Sequence, residues 1–182
     1  MKQSQRDGSG RPSTAALVAL LLTAPLVTTQ ARAQVAEADL LGTDGAPIGK
    51  VTVTQMARGV HIQADASGLP EGVHAFHIHA VGLCEPPFTS AGGHFNPTDE
   101  EHGWNNPKGY HVGDLPNVHI QGDGVLAIEY FTDAVTLGEG DTTLFDADGS
   151  SIVIHEGPDD YHTDPAGDAG NRIACAVVVP PQ

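Results

Sequence analysis

Several features that define common protein classes are scarce in this 182-residue chain. It has only two cysteines, too few for a disulfide-rich scaffold. They form no C-x-x-C pair, which argues against a thiolate zinc site and a dithiol redox motif. No segment shows sustained helical periodicity, so a helical bundle is not expected. The longest apolar run, residues 15–27, is too short to span a membrane, and we therefore expect no stable membrane association.

Cations are also rare. The chain has eight Lys and Arg against 23 Asp and Glu, for a net charge of −15 at pH 7. The first 33 residues hold four of the eight cations and one acid, so the remainder carries a net charge of −18. Such a surface repels phosphate backbones and anionic lipids, and we expect no nucleic-acid partner.

Residues 1–33 have the organisation of a secretory signal peptide. A basic start precedes the apolar run, and Ala31-Arg32-Ala33 forms a small-residue cleavage site. We therefore expect export, cleavage near Gln34, and one domain over residues 34–182 that is soluble in the periplasm.

The rest of the sequence predicts a succession of short β-strands. Eight runs are β-branched or alternate in polarity, and Gly-, Pro- and Asp-rich breaks separate them. The predicted strands are Val35–Leu41, Ile48–Met56, Val60–Ala66, Val73–Ala80, Val118–Gln121, Val125–Phe131, Ser151–His155 and Ile173–Val179. We expect an all-β domain, an antiparallel sandwich or barrel of about eight strands. Functional residues are expected in its two long connections, residues 81–115 and 156–171.

Histidine is concentrated around the first of these connections. If residues 73–80 form a strand, His77 and His79 project from one face and can bind one ion, whereas His74 points the other way. The following loop carries His94, His102, His111 and Asp114. Three imidazoles and one carboxylate make a closed four-coordinate set that suits structural zinc. The alternative is a group of surface histidines on a disordered loop.

His155 ends an apolar strand and opens the second connection, so it can meet the face that carries His77 and His79. With His94 these residues make four imidazoles, a donor set that favours Cu(II). His94 then belongs to both sets, which is coherent because a deprotonated imidazole can bind a metal through each nitrogen. The sequence predicts two metals separated by one ring.

In an oxidising compartment, Cys84 and Cys175 are expected to form one disulfide. The bond would close a loop of about ninety residues, which contributes roughly 4 kcal/mol in the chain-entropy model. Two free thiols, or thiolate metal ligands, are the alternatives.

Five motifs follow one another along the chain. They are Gly72-Val-His-Ala-Phe-His-Ile-His79, Ser90-Ala-Gly-Gly-His-Phe-Asn-Pro97, His111-Val-Gly-Asp-Leu115, Ile154-His-Glu156 and Gly170-Asn-Arg-Ile-Ala-Cys175. The ordered set resembles copper,zinc superoxide dismutases of the bacterial periplasmic type. The resemblance implies a Greek-key β-barrel with copper and zinc as cofactors and superoxide as substrate.

The resemblance also implies a role for each site residue. The copper ligands would be His77, His79, His94 and His155, and the zinc ligands would be His94, His102, His111 and Asp114. His94 would be the bridging imidazolate and would carry a proton to the nascent peroxide. Arg172 would guide the substrate, Asp159 would link a copper-ligand imidazole to a zinc-ligand imidazole, and Cys84 would be disulfide-bonded to Cys175.

The implied reaction is dismutation of superoxide to dioxygen and hydrogen peroxide by a redox-cycling copper. The alternative is a periplasmic protein that buffers or delivers copper and zinc without turnover. Arg172 discriminates between the two, because a storage protein needs no guanidinium beside an open metal face. An ion pair with a loop aspartate is the other interpretation of Arg172.

Some features limit what the resemblance implies. Residues 156–171 contain no Lys, so we expect weak electrostatic steering of superoxide. Any homodimer is expected to be of the bacterial type. The remaining predictions are a buried, hydrogen-bonded His74, solvent-facing His61 and His119, and packing or subunit contacts for Trp104 and Tyr110. For His162 we expect no functional role, with tuning of substrate approach as the alternative.

Overall fold

The computed structural model describes residues 34–181, so the predicted signal peptide, residues 1–33, lies outside the described residues. Nine strands are present in this part of the chain. They are β1 Val35–Gly42, β2 Pro47–Gln55, β3 Val60–Ala66, β4 Gly72–His74, β5 Phe76–His79, β6 Val118–Ile120, β7 Leu126–Thr132, β8 Ser150–His155 and β9 Arg172–Val178. One 3₁₀ turn, Thr89–Ala91, lies between β5 and β6. Within residues 34–181, no helix is long and apolar enough to cross a membrane.

The strands form an antiparallel Greek-key β-barrel, which confirms the predicted fold class. Seven strands follow the order β5-β8-β9-β1-β2-β3-β7, and β4 pairs with β6. The first strand pairs with both β2 and the last strand, β9, and β3 pairs with β7 rather than with its successor. The chain therefore leaves the sheet after β3 and returns to it, as a Greek key requires.

The prediction of a single strand over residues 73–80 is wrong, because the structure divides this segment into two strands at Ala75. The Ala75 amide donates to the Gly157 carbonyl at 2.8 Å, and the Ala75 carbonyl accepts from the His155 amide at 2.9 Å. Segments on either side of Ala75 pair with different strands, β6 and β8. The other predicted strands agree to within a residue or so at each end, and β3 agrees at both ends.

Alternation along the strands builds the core. In β2, Val51 and Val53 are buried while their neighbours are partly exposed, and in β3 Val60 and Ile62 follow the same rule. These side chains meet Phe76, Ile152 and Ile154 in one hydrophobic cluster. Each fully buried side chain of this size stabilises the fold by about 1.5–3 kcal/mol.

A third long connection, residues 133–149, was not singled out by the sequence analysis. It contributes Val135, Leu137 and Leu144 to the same core. Gln55 at the end of β2 anchors it, since its side-chain oxygen accepts hydrogen bonds from the Thr136 hydroxyl at 2.9 Å and the Leu137 amide at 2.7 Å. This connection packs into the core, whereas the other two carry His94, His102, His111, Asp114 and Asp159.

Candidate metal centre

Backbone hydrogen bonds attach the first ligand-bearing loop to strand β5. Ile78 donates to the Gly113 carbonyl at 2.9 Å and accepts from the Phe95 amide at 2.8 Å. The resulting bridges place Asp114 opposite His77 and His94 opposite His79. Gly113 permits this close approach, because a Cβ there would lie 2.3 Å from the Ile78 carbonyl oxygen. The loop is therefore held in order by the strand that carries the first two histidines.

The predicted copper-side residues come together as one group. Donor atoms of His77, His79, His94 and His155 lie within 4.8 Å of one another, and all four residues are buried. The Nδ1–H groups of His79 and His155 are directed at the carbonyls of Gly92 and Gly170, at 3.0 and 3.4 Å. Their Nε2 atoms, 3.3 Å apart, therefore face each other as lone pairs. Two converging lone pairs repel unless a cation lies between them.

Two further nitrogens of this group lack partners. Among the described residues, His77 Nδ1 and His94 Nε2 are buried without a hydrogen bond. Burial lowers the pKa of His77, and that of His79 falls well below its usual value for the same reason. Burial also lowers the pKa of His94 and of His155 to about 4. The four imidazoles are thus neutral at pH 7 and offer lone pairs to a metal.

The predicted zinc-side residues, His94, His102, His111 and Asp114, form a second buried group. Asp114 Oδ1 lies 2.8 Å from His94 Nδ1 and 3.3 Å from His111 Nδ1, and the two Nδ1 atoms are 3.2 Å apart. Asp114 Oδ2 lies 2.9 Å from His102 Nδ1. Tetrahedral zinc with bonds near 2.1 Å separates its ligand atoms by roughly 3.4 Å, so the spacing is close to that of a zinc site.

Asp159 connects the two groups. Its Oδ2 lies 2.9 Å from His77 Nε2, and its Oδ1 lies 2.9 Å from His102 Nε2. Both rings therefore hold a proton on Nε2 and turn Nδ1 toward a donor group, an arrangement common around protein metal ions. Asp159 thus contacts one histidine of each group.

The carboxylates give the zinc side a different protonation behaviour. Burial lowers the pKa of His102, but hydrogen bonds to Asp114 and Asp159 outweigh burial and raise this pKa to about 9. Burial raises the pKa of Asp114, yet hydrogen bonds from His102, His111 and His94 hold it far below its usual range. Burial also raises the pKa of Asp159, and hydrogen bonds from His102 and His77 again lower this pKa below its usual range. Both carboxylates are ionised at neutral pH.

Arg172 lies at the opening of the copper-side group. Its guanidinium donates to the carbonyls of Phe88 and Gly92, and no carboxylate of residues 34–181 lies within ion-pair distance, so the aspartate ion pair considered from the sequence is not formed. A cavity of about 310 Å³ is lined by Arg172 together with His79, His94 and His155. Burial lowers the pKa of Arg172, but a guanidinium remains charged at pH 7. A small anion that enters the cavity meets this cation beside the imidazoles.

The predicted disulfide is confirmed. Cys84 and Cys175 are bonded, with their Cα atoms 5.7 Å apart. The pair packs with the fully buried Phe88 and Val153 in a small second core. Because the Phe88 carbonyl accepts from Arg172, the disulfide and the guanidinium belong to one packed unit.

The other histidines have varied surroundings. His74 is buried, with Nδ1 2.8 Å from the His155 carbonyl, as predicted, and His119 is exposed as predicted. The solvent-facing prediction for His61 is wrong, because its ring stacks on Phe131 at 4.4 Å and its side chain is only 15% exposed. His162 is exposed and lies outside the residues that line the cavity.

Sequence reasoning missed three residues that support the site. Asp164 Oδ1 accepts a hydrogen bond from the His102 amide at 2.8 Å, and Asn117 and Tyr161 bond to Asp159. Each of these contacts joins a side chain to a backbone group; those of Asp164 and Asn117 span 62 and 42 residues, whereas Tyr161 lies two residues after Asp159. No local pattern of residue types marks such contacts.

The barrel and its two buried donor groups, which have His94 in common, define the class of β-barrel protein that can hold two metal ions side by side. Residues 47–178 match the family described as copper/zinc superoxide dismutase (SODC). The chain belongs to this family.

Named relatives and solved structures agree with this assignment. The chain is 49% identical over 144 residues to Cu-Zn superoxide dismutase 1 of Aquifex aeolicus (strain VF5), covering 78% of this chain and 85% of that protein. It is 44% identical over 139 residues to the Cu-Zn superoxide dismutase of Caulobacter vibrioides (strain ATCC 19089 / CIP 103742 / CB 15), covering 74% and 80%. The crystal structure of a SOD-like protein from Bacillus subtilis is 37% identical, with a TM-score of 0.75 over 79% of this chain and 97% of that one.

Proposed function

We propose that this protein dismutates superoxide to dioxygen and hydrogen peroxide with one copper and one zinc. The observation that carries the proposal is the position of His94. Its Nδ1 lies 2.8 Å from Asp114 in one donor group, and its Nε2 is buried without a partner in the other. One ring thus faces both groups, as a bridging ligand must.

The donor atoms of each group fit a different ion. Four neutral imidazoles suit copper, because nitrogen ligands favour Cu(II). Three imidazoles and a carboxylate close a four-coordinate set, which is typical of zinc in a structural role. Bound to these four imidazoles, copper would supply the one-electron redox chemistry that oxidises one superoxide to dioxygen and reduces another to peroxide.

The protein's own residues bind the anion and manage protons. Arg172 binds superoxide at the cavity mouth. Hydrogen bonds to two carbonyls already hold its guanidinium in position, so binding needs little reorganisation. Reduction of the second superoxide to hydrogen peroxide consumes two protons. His94 Nε2 is the protein atom placed to hold one of them, because Nδ1 stays on the side of Asp114.

We also propose that residues 1–33 are a signal peptide and that residues 34–182 work in the periplasm. Support comes from the basic start, the short apolar run and the Ala31-Arg32-Ala33 site. The Cys84–Cys175 disulfide fits an oxidising compartment. A homodimer of the bacterial type is the assembly we propose, and sedimentation of the mature protein tests it.

The decisive experiment assays superoxide loss by the protein that begins at Gln34, loaded with copper and zinc. We expect rapid turnover that falls about 10-fold in Arg172→Ala with metal content unchanged, since a local cation in a cleft raises association rates by at least that factor. Stoichiometric metal without turnover would instead identify a copper- and zinc-binding protein that buffers or delivers the ions.

A further inference from the structure

Asn117, Asp159 and Tyr161 form a closed ring of hydrogen bonds. The Asn117 amide donates to the Tyr161 hydroxyl at 2.8 Å, and the Tyr161 amide donates to Asp159 Oδ1 at 2.6 Å. The Asp159 amide donates to Asn117 Oδ1 at 2.8 Å, and Asn117 Nδ2 donates to the Asp159 carbonyl at 2.9 Å. The ring joins the residue just before β6 to the connection between β8 and β9.

The ring has two marks of a tightly determined arrangement. Tyr161 adopts a left-handed conformation, φ 61°, which a non-glycine residue holds only when its surroundings enforce it. Gly167 closes the other side of the carboxylate, since a Cβ there would lie 1.9 Å from Asp159 Oδ1 and 2.8 Å from His102 Nε2. The Asp159 carboxylate therefore has little freedom to turn.

That restriction matters because each Asp159 oxygen orients a different ring. Oδ2 faces His77 and Oδ1 faces His102, so a small rotation of the carboxylate would disturb both. The Tyr161 amide fixes the rotation by adding a further hydrogen bond to Oδ1, and Asn117 fixes the backbone from which the side chain extends.

We infer that Tyr161 and Asn117 are positioning residues for both metals. Through Asp159, the ring holds Nδ1 of His77 toward the copper side and Nδ1 of His102 toward the zinc side. The inference rests on the proposed function and adds to it the residues that set the geometry of the two ions together.

Tyr161→Phe tests the inference with a single atom, since it removes the hydroxyl that accepts from the Asn117 amide. Tyr130→Phe is the matched control, because Tyr130 is also partly buried and lines the same surface cavity as Tyr161, and within residues 34–181 its hydroxyl makes no hydrogen bond. Zinc affinity is measured by chelator competition, and the copper environment by the Cu(II) electron paramagnetic resonance spectrum of the folded, zinc-loaded protein.

We expect Tyr161→Phe to weaken zinc binding by about 10-fold, the lower end for residues that orient metal ligands, and to change the copper hyperfine splitting. Tyr130→Phe should leave both unchanged. A role in folding alone would lower the melting temperature and leave the spectrum of the folded protein as in wild type. That result, or unaltered zinc affinity, overturns the inference.

A double mutant supplies the second test. If the ring acts through the carboxylate, Tyr161→Phe should change zinc affinity by less than about 2-fold in an Asp159→Asn background. A full, additive loss there contradicts the inference. Failure of the wild-type protein to take up copper and zinc would instead refute the proposed function, so the two failures are distinguishable.

Discussion

The two halves of the metal centre are built in opposite ways. On the copper side, three of the four histidines extend from strands: His77 and His79 from β5, and His155 from the end of β8. On the zinc side, all four residues lie on the connection that follows β5. The copper-side group itself contains only neutral imidazoles, whereas the zinc-side group contains the buried, ionised Asp114. The barrel thus provides a preformed set of nitrogen donors, and the loop is organised around a charged one.

The largest expected effect comes from removing one ligand on each side. His155→Ala should abolish turnover and copper uptake but keep one zinc, because none of the four zinc-side residues is altered. His111→Ala should lose zinc and retain copper, with weaker binding because His94 is less well held. Metal analysis together with the superoxide assay checks both variants. His119→Ala, an exposed histidine, is the control. Joint loss of both metals in both variants would contradict the division into halves.

Zinc removal should affect backbone dynamics unequally. The amides of Gly103 and His111 both donate to Asp114 Oδ2, so they depend on an ordered loop. In the zinc-free protein we expect their hydrogen exchange to rise by roughly 100-fold. Amides in β5 and β8 should change little, since their ladder bonds lie within the barrel. Exchange followed by mass spectrometry measures both regions, and uniform deprotection would refute the contrast.

Proton release distinguishes the halves at equilibrium. In the metal-free protein, His102 has a pKa of about 9 and is protonated at pH 7, whereas His94 and His155, with pKa values of about 4, are not. Added singly to the metal-free protein, zinc must therefore displace a proton that copper need not, and zinc affinity should fall about 10-fold per pH unit below pH 9 from this group. Calorimetry in buffers of different ionisation enthalpy measures the release. Equal proton release for both metals would contradict the assignment.

The smallest expected effect concerns salt. Residues 34–182 carry a net charge of −18, and residues 156–171 contain no Lys, so long-range attraction of superoxide is weak. As salt rises from about 0.01 to 0.15 M and the Debye length falls from roughly 30 to 8 Å, we expect less than about a 2-fold change in rate, or a slight increase. His162 is exposed, and His162→Lys should add local attraction for superoxide, so that the rate of the variant falls as salt rises. A steep loss in the wild-type protein would refute weak steering.

Residue types predicted which side chains come together, because imidazole and carboxylate chemistry is specific. The alternation of His77 and His79 placed two donors on one face before any tertiary contact was considered. The interruption at Ala75 was not predictable, because its cause is a hydrogen bond to Gly157, far along the chain. Local propensity says nothing about which strand will be the partner.

The residues that support Asp159 could not be predicted from the sequence for a related reason. Asn117 and Tyr161 act through backbone amides, one side-chain amide and one hydroxyl, groups that many residues in loops possess. Their importance arises only when two connections meet at Asp159. The same limit applies to Phe88, whose carbonyl orients Arg172 while its side chain packs beside the disulfide.

Trp104 and Tyr110 stack at 3.9 Å between ring centroids, and they lie just inside the segment bounded by His102 and His111. Trp104 is the only tryptophan in the chain, and it is 48% exposed. The stack fastens the two ends of that segment, so opening of the segment must separate the rings. The fluorescence of Trp104 should therefore change when the two rings separate. It reports, without any added label, whether the segment between His102 and His111 is closed.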